Sequence, residues 1–342
     1  MSAHEIIEEA ELKTLAERGL RALGVPEGQA RDCATILVLA DLMGIGTHGV
    51  ARVSAYGSRL RTGGIKAAAD MVMERLAPGM ARLDGDNGLG PAIGMRALDE
   101  ALDLAGETGI AAVFCRNSNH FGPIAPYAYL AAEQGFASLI ASNATTTIAP
   151  TGGREARLGN NPMGFGFPNP GGDPVLLDMA MSVVARARIR NAAKAGQQIP
   201  DSWATDREGR PTTDPNAALA GFLAPIGGYK GYGLSLAVDL LTGLLSGGSY
   251  LTHVSSWQDN PEAPQDLGHT FVLMDARRLG AQAWLAERMN DFAAILHDTP
   301  RAEAEVPVML PGERELDRMR RQKADGIALD PALLEELRAL AA

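Results

Sequence analysis

The stretch ARLDGDNGLGPAIGMRALDEALDLAGETGIAAVFCRNSNHFGPIAPYAYLAAEQGFASLIASN, residues 81–143, decides the fold class. Short apolar runs such as IAAVFC and FASLIAS alternate in it with longer runs whose apolar residues recur at helical spacing. This alternation predicts a mixed α/β fold. The first short run leads into Asn117–Asn119 and the second into Ser142 and Asn143. Because α/β proteins commonly build their sites at strand ends, these positions are the first candidates for a functional site.

The flanking segments are predicted to be mainly helical. Two amphipathic patterns, at residues 12–23 and 29–42, predict two helices, so the first fifty residues are expected to be helical throughout. In the second half of the chain, residues 233–245 and 278–296 predict helices on either side of a strand at 269–275.

Two other segments carry weaker patterns. Residues 183–217 show little apolar periodicity and many turn-forming residues, which predicts a long surface excursion rather than a linker between domains. The mixed charges of residues 314–323 predict a solvated helix face. Asp330 is the expected N-cap of a final helix.

Composition excludes several classes of protein. With 342 residues, 46% of them hydrophobic and 21% charged, the chain can bury a full core and is expected to be globular. It contains no run of roughly 18 apolar residues, and its first residues, MSAHEIIEEAELK, are acidic, unlike a signal peptide, so a cytoplasmic protein is expected. The formal charge of −10 argues against nucleic acid and anionic membranes as partners.

Cysteine and histidine spacing argues against a disulfide framework and against a metal centre. Cys33 and Cys115 form no CxxC pair and are expected to be reduced, buried thiols. The six histidines form no HExxH or HxH pair, so no metal site is predicted. The 39 glycines cluster in short segments that are typical of turns and of close approach to a ligand.

The segment Gly44-Ile45-Gly46-Thr47-His48-Gly49 matches the GxGxxG pattern of dinucleotide-binding Rossmann folds. That pattern works only where a strand enters the glycine turn and a helix leaves it. Here a helical run, ARDCATILVLADLMG, precedes the glycines, and GLGPAIG at 88–94 has the wrong spacing. The sequence therefore predicts a fold that is not a Rossmann fold.

Thr47, His48 and Arg52 form the first candidate constellation. His48 and Arg52 are four residues apart, so they project from one face if the chain is helical from the turn onward. A guanidinium matches a carboxylate, and an imidazole can move a proton at the neighbouring oxygen, which suits a 2-oxo or 2-hydroxy carboxylate. On these residues alone, an ion-pairing surface arginine and a hydrogen-bonded turn histidine are an open alternative.

His120 and Lys230 are two further candidates. His120 follows the predicted strand IAAVFC in a polar run, where its neighbours could fix one tautomer for acid–base chemistry; a structural histidine is the alternative. Lys230 lies in GGYKGYG, and flexible glycines around one cation before a helix favour holding a phosphate; an exposed turn lysine is the alternative. The segment is not a P-loop.

Seven segments, spread over about residues 40–315, occur in one order: GIGTHGVARVSAYGSRLRTGGIK, NSNHFGPIAPYAYLAAEQG, SNATTTIAPTGGREARLGNNPMGFGFP, LLDMAMSVVA, IPDSWATDREGRPTTDP, GGYKGYGLSL and LPGERE. Together they resemble the malate/L-lactate dehydrogenase family of the second type. That family also contains ureidoglycolate, sulfolactate and diketogulonate dehydrogenases and cyclic-imine reductases.

The resemblance implies a NAD- or NADP-dependent oxidoreductase that acts next to the carboxylate of a small substrate. It also implies a homodimer and a largely antiparallel mixed sheet of unusual topology, which explains the missing Rossmann signal. The division that we expect is a helical part with substrate-side residues at 1–75, a central α/β cofactor-binding region at 76–300, and a segment at 301–342 that packs back on the first part.

Individual residues take roles through the same resemblance. His48, Arg52 and the preceding Thr47 match the substrate side, and His120 matches the proton carrier, although either histidine could move the proton. Positions that match cofactor-lining stretches are Asn143, Asp178, Met179, Ala180, Lys230, Gly231, Pro311, Gly312 and Glu313. Departures are Thr47, where Ser is common, Asn160, where Thr is usual, and Ala187-Arg188, which replaces a Gly-Lys pair, so substrate choice and cofactor contacts there are open.

Three other functions fit parts of the sequence. A cyclic imino-acid reductase differs only in protonating an imine nitrogen in place of a carbonyl oxygen. A cofactorless hydrolase or lyase using His120 and Ser118 lacks the orienting acid and oxyanion hole that such a site needs. A nucleotide-binding module without turnover is the third.

Overall fold

The computed structural model describes residues 4–342 of the chain. The α-helices of this range are α1 Glu9–Ala22, α2 Glu27–Leu42, α3 Arg52–Thr62, α4 Gly90–Thr108, α5 Ala125–Glu133, α6 Arg186–Lys194, α7 Pro215–Ala220, α8 Tyr229–Asp239, α9 Gln282–His297, α10 Glu313–Asp325 and α11 Pro331–Ala341. Short 3-10 turns lie at Gly46–His48, Leu251–His253 and Ala276–Arg278, and a π-helical turn, Leu240–Leu244, continues α8.

The strands of the same range belong to three sheets. They are β1 Glu5–Ile7, β2 Val72–Ala77, β3 Met80–Asp84, β4 Ile110–Ser118, β5 Phe136–Ser142, β6 Thr146–Ile148, β7 Leu158–Gly159, β8 Met163–Phe167, β9 Val175–Met179, β10 Ala204–Thr205, β11 Phe222–Leu223, β12 Leu267–Asp275 and β13 Ile327–Leu329.

The main sheet has seven strands in the order β2-β3-β4-β12-β5-β8-β9. Strands β3 and β4 are parallel and are connected through α4, whereas each other neighbouring pair of this sheet is antiparallel. Helices and strands alternate through residues 80–142, so the predicted mixed α/β fold is confirmed. The glycine turn between β3 and α4 serves close packing, because a Cβ on Gly90 would lie 2.3 Å from the carbonyl oxygens of Asn119 and His120.

Strand β12 lies in the middle of this sheet and has helices on both faces. Phe271, fully buried, packs edge-on against Phe121 and Tyr127 on the face that carries α4 and α5. On the other face Gly268 and Thr270 meet the π-helical turn, and a Cβ on Gly268 would lie 1.5 Å from the carbonyl oxygen of Thr242. The centre of the sheet is thus covered on both faces. Residues 4–342 contain no helix with the length and apolar character of a membrane span.

The two ends of the chain pack together. Helix α11 contacts α1 and α3, and α10 contacts α2, where Gln322 Nε2 donates to the carbonyl oxygens of Asp41 and Leu42 at 2.8 and 2.9 Å. The expectation of an entirely helical start is wrong at Glu5–Ile7, which forms β1 and pairs with β13. A local pattern does not reveal this strand, because its partner is more than 300 residues away in the sequence.

The expectation of a surface excursion at 183–217 is also wrong. This segment contains α6, β10 and the start of α7, and it belongs to a small unit with the four-stranded sheet β10-β11-β6-β7. The unit has a hydrophobic core of its own, formed by Ile148, Leu158, Val184, Ile189, Ile199, Ala204, Ala218 and Leu223. Each short element gives this core only one or two side chains, so no periodicity is visible in the sequence.

The two glycines Gly268 and Gly106 test the packing of the sheet. A Cβ on Gly268 would overlap backbone, so Gly268→Ala should lower the free energy of unfolding by about 1–3 kcal/mol or more. Gly106 lies inside α4 with nothing within 4 Å of such a Cβ, so Gly106→Ala should raise it by roughly 0.5–1 kcal/mol. Urea unfolding measures both changes. Equal stabilities for Gly268→Ala and the wild type would contradict the close approach of β12 and the π-helical turn.

Candidate active site

A buried carboxylate shapes the connection between α2 and α3. Asp41, in the last turn of α2, accepts a hydrogen bond from the Val50 backbone N–H at 2.7 Å. Gly49 passes so close that a Cβ there would lie 1.9 Å from the carboxylate. The turn is therefore folded around Asp41, and this brings His48 and Arg52 to the start of α3.

Arg52 is held by the turn that it follows. Its Nε donates to the carbonyl oxygen of Thr47 at 2.7 Å, and its guanidinium lies 5.4 Å from the centre of the Trp257 ring. The Thr47 hydroxyl is 2.9 Å from His48 Nδ1. Arg52 forms no salt bridge within residues 4–342, so the other N–H groups of its guanidinium can receive a carboxylate.

His120 follows the end of β4 and is held from one side. The Tyr56 hydroxyl lies 2.8 Å from His120 Nδ1, and the Gly122 N–H points at the same nitrogen from 3.4 Å. Two donors around Nδ1 favour a neutral imidazole with its proton on Nε2. His120 lines the cavity described below, so Nε2 is the nitrogen that remains for a ligand.

Three rings form a stack at this place. His120 lies between His48 and Trp257, with both ring centres 5.3 Å from its own and interplanar angles of 26° and 21°. Trp257 comes from the segment between the 3-10 turn at 251–253 and β12. The stack limits the movement of the His120 imidazole to the plane between its neighbours.

Both imidazoles are neutral at pH 7. Burial, and after it the charge of Arg52, lowers the pKa of His48 to about 4. Burial lowers the pKa of His120 well below its usual value, and the neighbouring His48 and Arg52 act in the same direction. An anion bound at Arg52 would offset that positive charge and raise the pKa of both groups.

The rings lie at the wall of a cavity of about 920 Å³. Eight of the predicted site residues line this cavity: His48, Arg52, His120, Asn143, Asp178, Ala180, Pro311 and Gly312. Five do not: Thr47, Met179, Lys230, Gly231 and Glu313. Thr47 nevertheless contacts both His48 and Arg52, as described above.

Asn143 and Asp178 line the cavity, but some of their polar atoms form hydrogen bonds within the protein. Asn143 Nδ2 donates to the carbonyl oxygen of Ser249, and its Oδ1 accepts from the Gly268 N–H. Asp178 Oδ2 accepts from the backbone N–H groups of Ile124 and Ala125 at the start of α5. Burial raises the pKa of the Asp178 carboxyl.

Lys230 and Glu313 do not line the cavity. Lys230 stands in the first turn of α8, so its placement in a loop before the helix is wrong. Gly231 allows the start of this helix to approach the Ile226 carbonyl oxygen, which would lie 1.9 Å from a Cβ. Glu313 pairs with His297 Nε2 at 2.7 Å and accepts from the Leu310 N–H at 3.0 Å.

A third histidine, fully buried, joins the strand ends behind the site. His269, on β12, lies between the hydroxyls of Ser118 and Ser142, 2.7 and 2.8 Å from Nε2 and Nδ1, and stacks on Phe121. Burial lowers its pKa to about 3, so the ring is neutral and one serine must donate to it. These bonds fix the ends of β4 and β5, from which the His120 and Asn143 segments leave the sheet.

The sequence patterns missed three residues that contact the predicted ones. Tyr56 stands four residues after Arg52 on α3, so helical spacing could have indicated it. Asp41 could have been noticed as an acid inside an apolar helical run. Trp257 had no sequence signal, because its segment has no periodicity and its contacts come from distant parts of the chain.

Strongly perturbed imidazoles that face a cavity are typical of enzymes rather than of passive binding modules. Residues 7–338 match the sequence model of the family described as malate/L-lactate dehydrogenase. The chain belongs to this family and is a dehydrogenase.

Individual relatives cover nearly the whole chain. A (2R)-3-sulfolactate dehydrogenase (NADP(+)) of Chromohalobacter salexigens is 37% identical over 333 residues, which are 97% of this chain and 96% of the relative. A Delta(1)-pyrroline-2-carboxylate reductase of Ancylobacter novellus is 33% identical over 97% of this chain and 96% of its own length. The solved sulfolactate dehydrogenase of Methanocaldococcus jannaschii superposes with a TM-score of 0.90 at 33% identity, covering 98% of this chain and 96% of that one.

Asp41 gives the fold a pH dependence that can be measured. Burial raises its pKa from 3.8 to about 7, so below pH 4 the carboxyl is protonated in the folded and the unfolded chain alike. Between pH 4 and 7 only the unfolded chain ionises, and the free energy of unfolding should fall as the pH rises. Asp41→Asn keeps an acceptor for the Val50 N–H, and it should remove the part of this decrease in the free energy of unfolding that comes from Asp41.

Urea unfolding of the wild type and Asp41→Asn at pH 4.5, 6 and 8 measures this difference. Asp70→Asn is the control, because Asp70 is exposed. A constant difference in stability between Asp41→Asn and the wild type over this pH range would contradict the buried, protonated carboxyl.

Proposed function

We propose that the protein interconverts a small 2-hydroxy acid and its 2-oxo acid, with NAD or NADP as the hydride carrier. The observation that carries this proposal is the meeting of Arg52, His48 and His120 at one wall of the cavity. A guanidinium binds a carboxylate, and an imidazole held by Tyr56 can exchange a proton at the adjacent oxygen. The family relatives act on substrates of this kind by name.

The cavity fits a nicotinamide dinucleotide, which supplies or accepts the hydride when bound. Its volume of about 920 Å³ is within the range of ligand sites. Arg186 and Arg190, one turn apart on α6, line the cavity and form no salt bridge within residues 4–342. Asp259, which also lines the cavity, carries an opposite charge close enough to act on Arg186. Thr147, also in the wall, has a buried hydroxyl with no hydrogen-bond partner among residues 4–342. These groups suit the phosphates and hydroxyls of the nucleotide.

We infer that this binding does not use a Rossmann glycine turn. The segment Gly44–Gly49 follows a helix, and it contains His48, which lines the cavity at the proposed substrate end. The nicotinamide half would lie along the wall formed by Asn143, Asp178 and Ala180, where Pro311 and Gly312 pack against Leu176 of the same strand as Asp178. No strand of the described chain leads into the glycine turn, which is the feature that a Rossmann site requires.

Proton transfer is assigned to His120. In reduction, the carboxylate of a 2-oxo acid on Arg52 raises the pKa of the imidazoles, so that His120 takes up a proton in the complex. As hydride reaches carbon 2, the proton on Nε2 passes to the oxygen and a hydroxyl forms. The imidazole is then neutral and keeps its proton on Nδ1, from which it donates a hydrogen bond to the Tyr56 oxygen. Within residues 4–342 the His48 imidazole has only the adjacent Thr47 hydroxyl as a hydrogen-bond partner, so we assign it to the wall of the substrate pocket.

A cyclic imino-acid reductase is the second candidate. The relative from Ancylobacter novellus carries this activity in its name, and the same His120 and Arg52 would serve an imine nitrogen in place of the carbonyl oxygen. Substrate specificity therefore separates the two candidates, since the carboxylate-binding group is shared.

Turnover of reduced nicotinamide tests the proposal. Absorbance should fall with NADH or NADPH and at least one of pyruvate, oxaloacetate, sulfopyruvate or oxalurate, and a preference for cyclic imines would favour the second candidate. His120→Ala should lower kcat by roughly 100- to 10,000-fold. His253→Ala is the matched control, because His253 is exposed and outside the cavity. A near-normal rate in His120→Ala would overturn the assignment of proton transfer to His120, and near-normal rates in both His120→Ala and His48→Ala would overturn the proposed site.

We further infer that two copies associate. Helix α9 buries none of its residues and exposes Trp284, Phe292 and Ile295. Leu244, at the end of the π-helical turn, and Leu245, directly after it, are also exposed. Exposed apolar patches of this kind mark interaction surfaces, and the family resemblance implies a homodimer.

Light scattering after size exclusion measures the molar mass, which should be about twice 36.0 kDa. Phe292→Glu or Leu245→Glu should shift it toward the monomer, whereas Val306→Glu, at an exposed valine elsewhere, should not. A monomeric wild type at micromolar concentration would contradict the inference.

A further inference from the structure

Arg59 is a buried arginine that the proposed mechanism does not use. It stands on α3, seven residues after Arg52 and three after Tyr56, and only 2% of its surface is exposed. Helical spacing places all three side chains on adjoining parts of one helix face. Within residues 4–342 no carboxylate lies within salt-bridge distance of Arg59.

Each of the five N–H donors of this guanidinium has an acceptor available. The acceptors are the Pro261 carbonyl oxygen at 3.3 Å from Nε, Asn119 Oδ1 and Gln265 Oε1 at 2.7 and 3.1 Å from Nη1, and the Gly64 and Ala263 carbonyl oxygens at 2.9 and 2.7 Å from Nη2. All five are neutral groups. Burying this cation therefore costs free energy that only the complete set of hydrogen bonds offsets.

The acceptors belong to two segments that meet at His120. Asn119 immediately precedes His120, and Gln265 Oε1 also accepts from the His120 backbone N–H at 3.3 Å. Pro261, Ala263 and Gln265 end the segment whose Trp257 ring stacks on the His120 imidazole. One guanidinium thus connects α3 to the backbone at His120 and to the segment that provides Trp257.

We propose that Arg59 is a positioning residue, which sets His120 and Trp257 relative to Arg52 and Tyr56. The proposal rests on the proposed function for its kinetic consequence, since these four side chains form the acid–base and carboxylate-binding end of the cavity. Arg59 touches neither the substrate pocket nor the cofactor wall. Its loss should therefore lower kcat while leaving cofactor binding almost unchanged.

A guanidinium is required here because of its geometry as well as its charge. Lysine keeps the charge but offers three donors from one atom, so it cannot reach acceptors spread over 119, 261–265 and 64. Leucine would leave five acceptors in a buried place without a donor. Because its five donors lie in one plane, the guanidinium can fix the segment at Asn119 and the segment at 261–265 relative to each other.

The experiment compares Arg59→Lys and Arg59→Ala with Arg61→Ala, a change at an exposed arginine on the same helix. We expect kcat to fall about 10- to 100-fold in both Arg59 variants, because a displacement near 1 Å at the reacting groups has an effect of this size. The Kd of reduced nicotinamide dinucleotide should change less than about 2-fold, and Arg61→Ala should match the wild type. Guanidinium chloride at tens of millimolar should restore part of the lost kcat in Arg59→Ala, whereas sodium chloride should not.

A second measurement is independent of turnover. The chain has three tryptophans, so replacing Trp203 and Trp284 by Phe leaves Trp257 as the only tryptophan fluorophore. Acrylamide should quench Trp257 more strongly in Arg59→Ala than with Arg59 present, and guanidinium should reverse this change.

The two measurements together decide between positioning and mere stabilisation. Unchanged quenching and a kcat within 2-fold of the wild type in Arg59→Ala would overturn the proposal. So would parallel loss of kcat, cofactor binding and thermal stability without rescue by guanidinium. Absence of turnover in the wild type would refute the proposed function alone, because the quenching experiment still tests the placement of Trp257.

Discussion

The hydrogen bond from the Val50 N–H to the buried Asp41 carboxyl group is the constraint on which the candidate site depends. It ends one helix, reverses the chain around a glycine that leaves room for the carboxylate, and starts the next helix in a fixed direction. Every group on α3 that faces the cavity takes its position from that start. Gln322, from α10, holds the carbonyl groups at the end of α2, so the C-terminal segment supports the same junction.

The opposite wall depends on the central strand of the sheet. His269 joins the ends of β4 and β5 through two serine hydroxyls, and the segments with His120 and Asn143 begin at those ends. The site therefore lies between helix α3, whose start is fixed by the buried Asp41 carboxyl group, and the ends of β4 and β5, which are fixed by the buried His269 imidazole. Both groups are polar and satisfied, which favours a single arrangement of the surrounding backbone.

Local patterns in the sequence predicted what depends on local physics. Helical periodicity located α1, α2 and the final helix, with Asp330 as its N-cap, and alternating apolar runs located β4, β5 and β12. Spacing also indicated His48 with Arg52. The sequence did not predict the pairing of β1 with β13 or the small core around Ile189, because both depend on contacts between residues that are distant in the sequence. Trp257 was not predicted for the same reason. No pattern around Arg59 indicated that it connects distant segments of the chain.

The small unit with its own hydrophobic core has a consequence for how such an enzyme can change. Arg186 and Arg190 belong to this unit, whereas His120 and Tyr56 belong to the main body, and each part is stabilised by a separate set of apolar contacts. Substitutions at the exposed positions of α6 therefore leave the hydrophobic core of the main body unchanged. If these arginines contact the nucleotide as proposed, a change of nucleotide preference would need substitutions beside one hydrophobic core only, and the residues proposed for proton transfer lie beside the other.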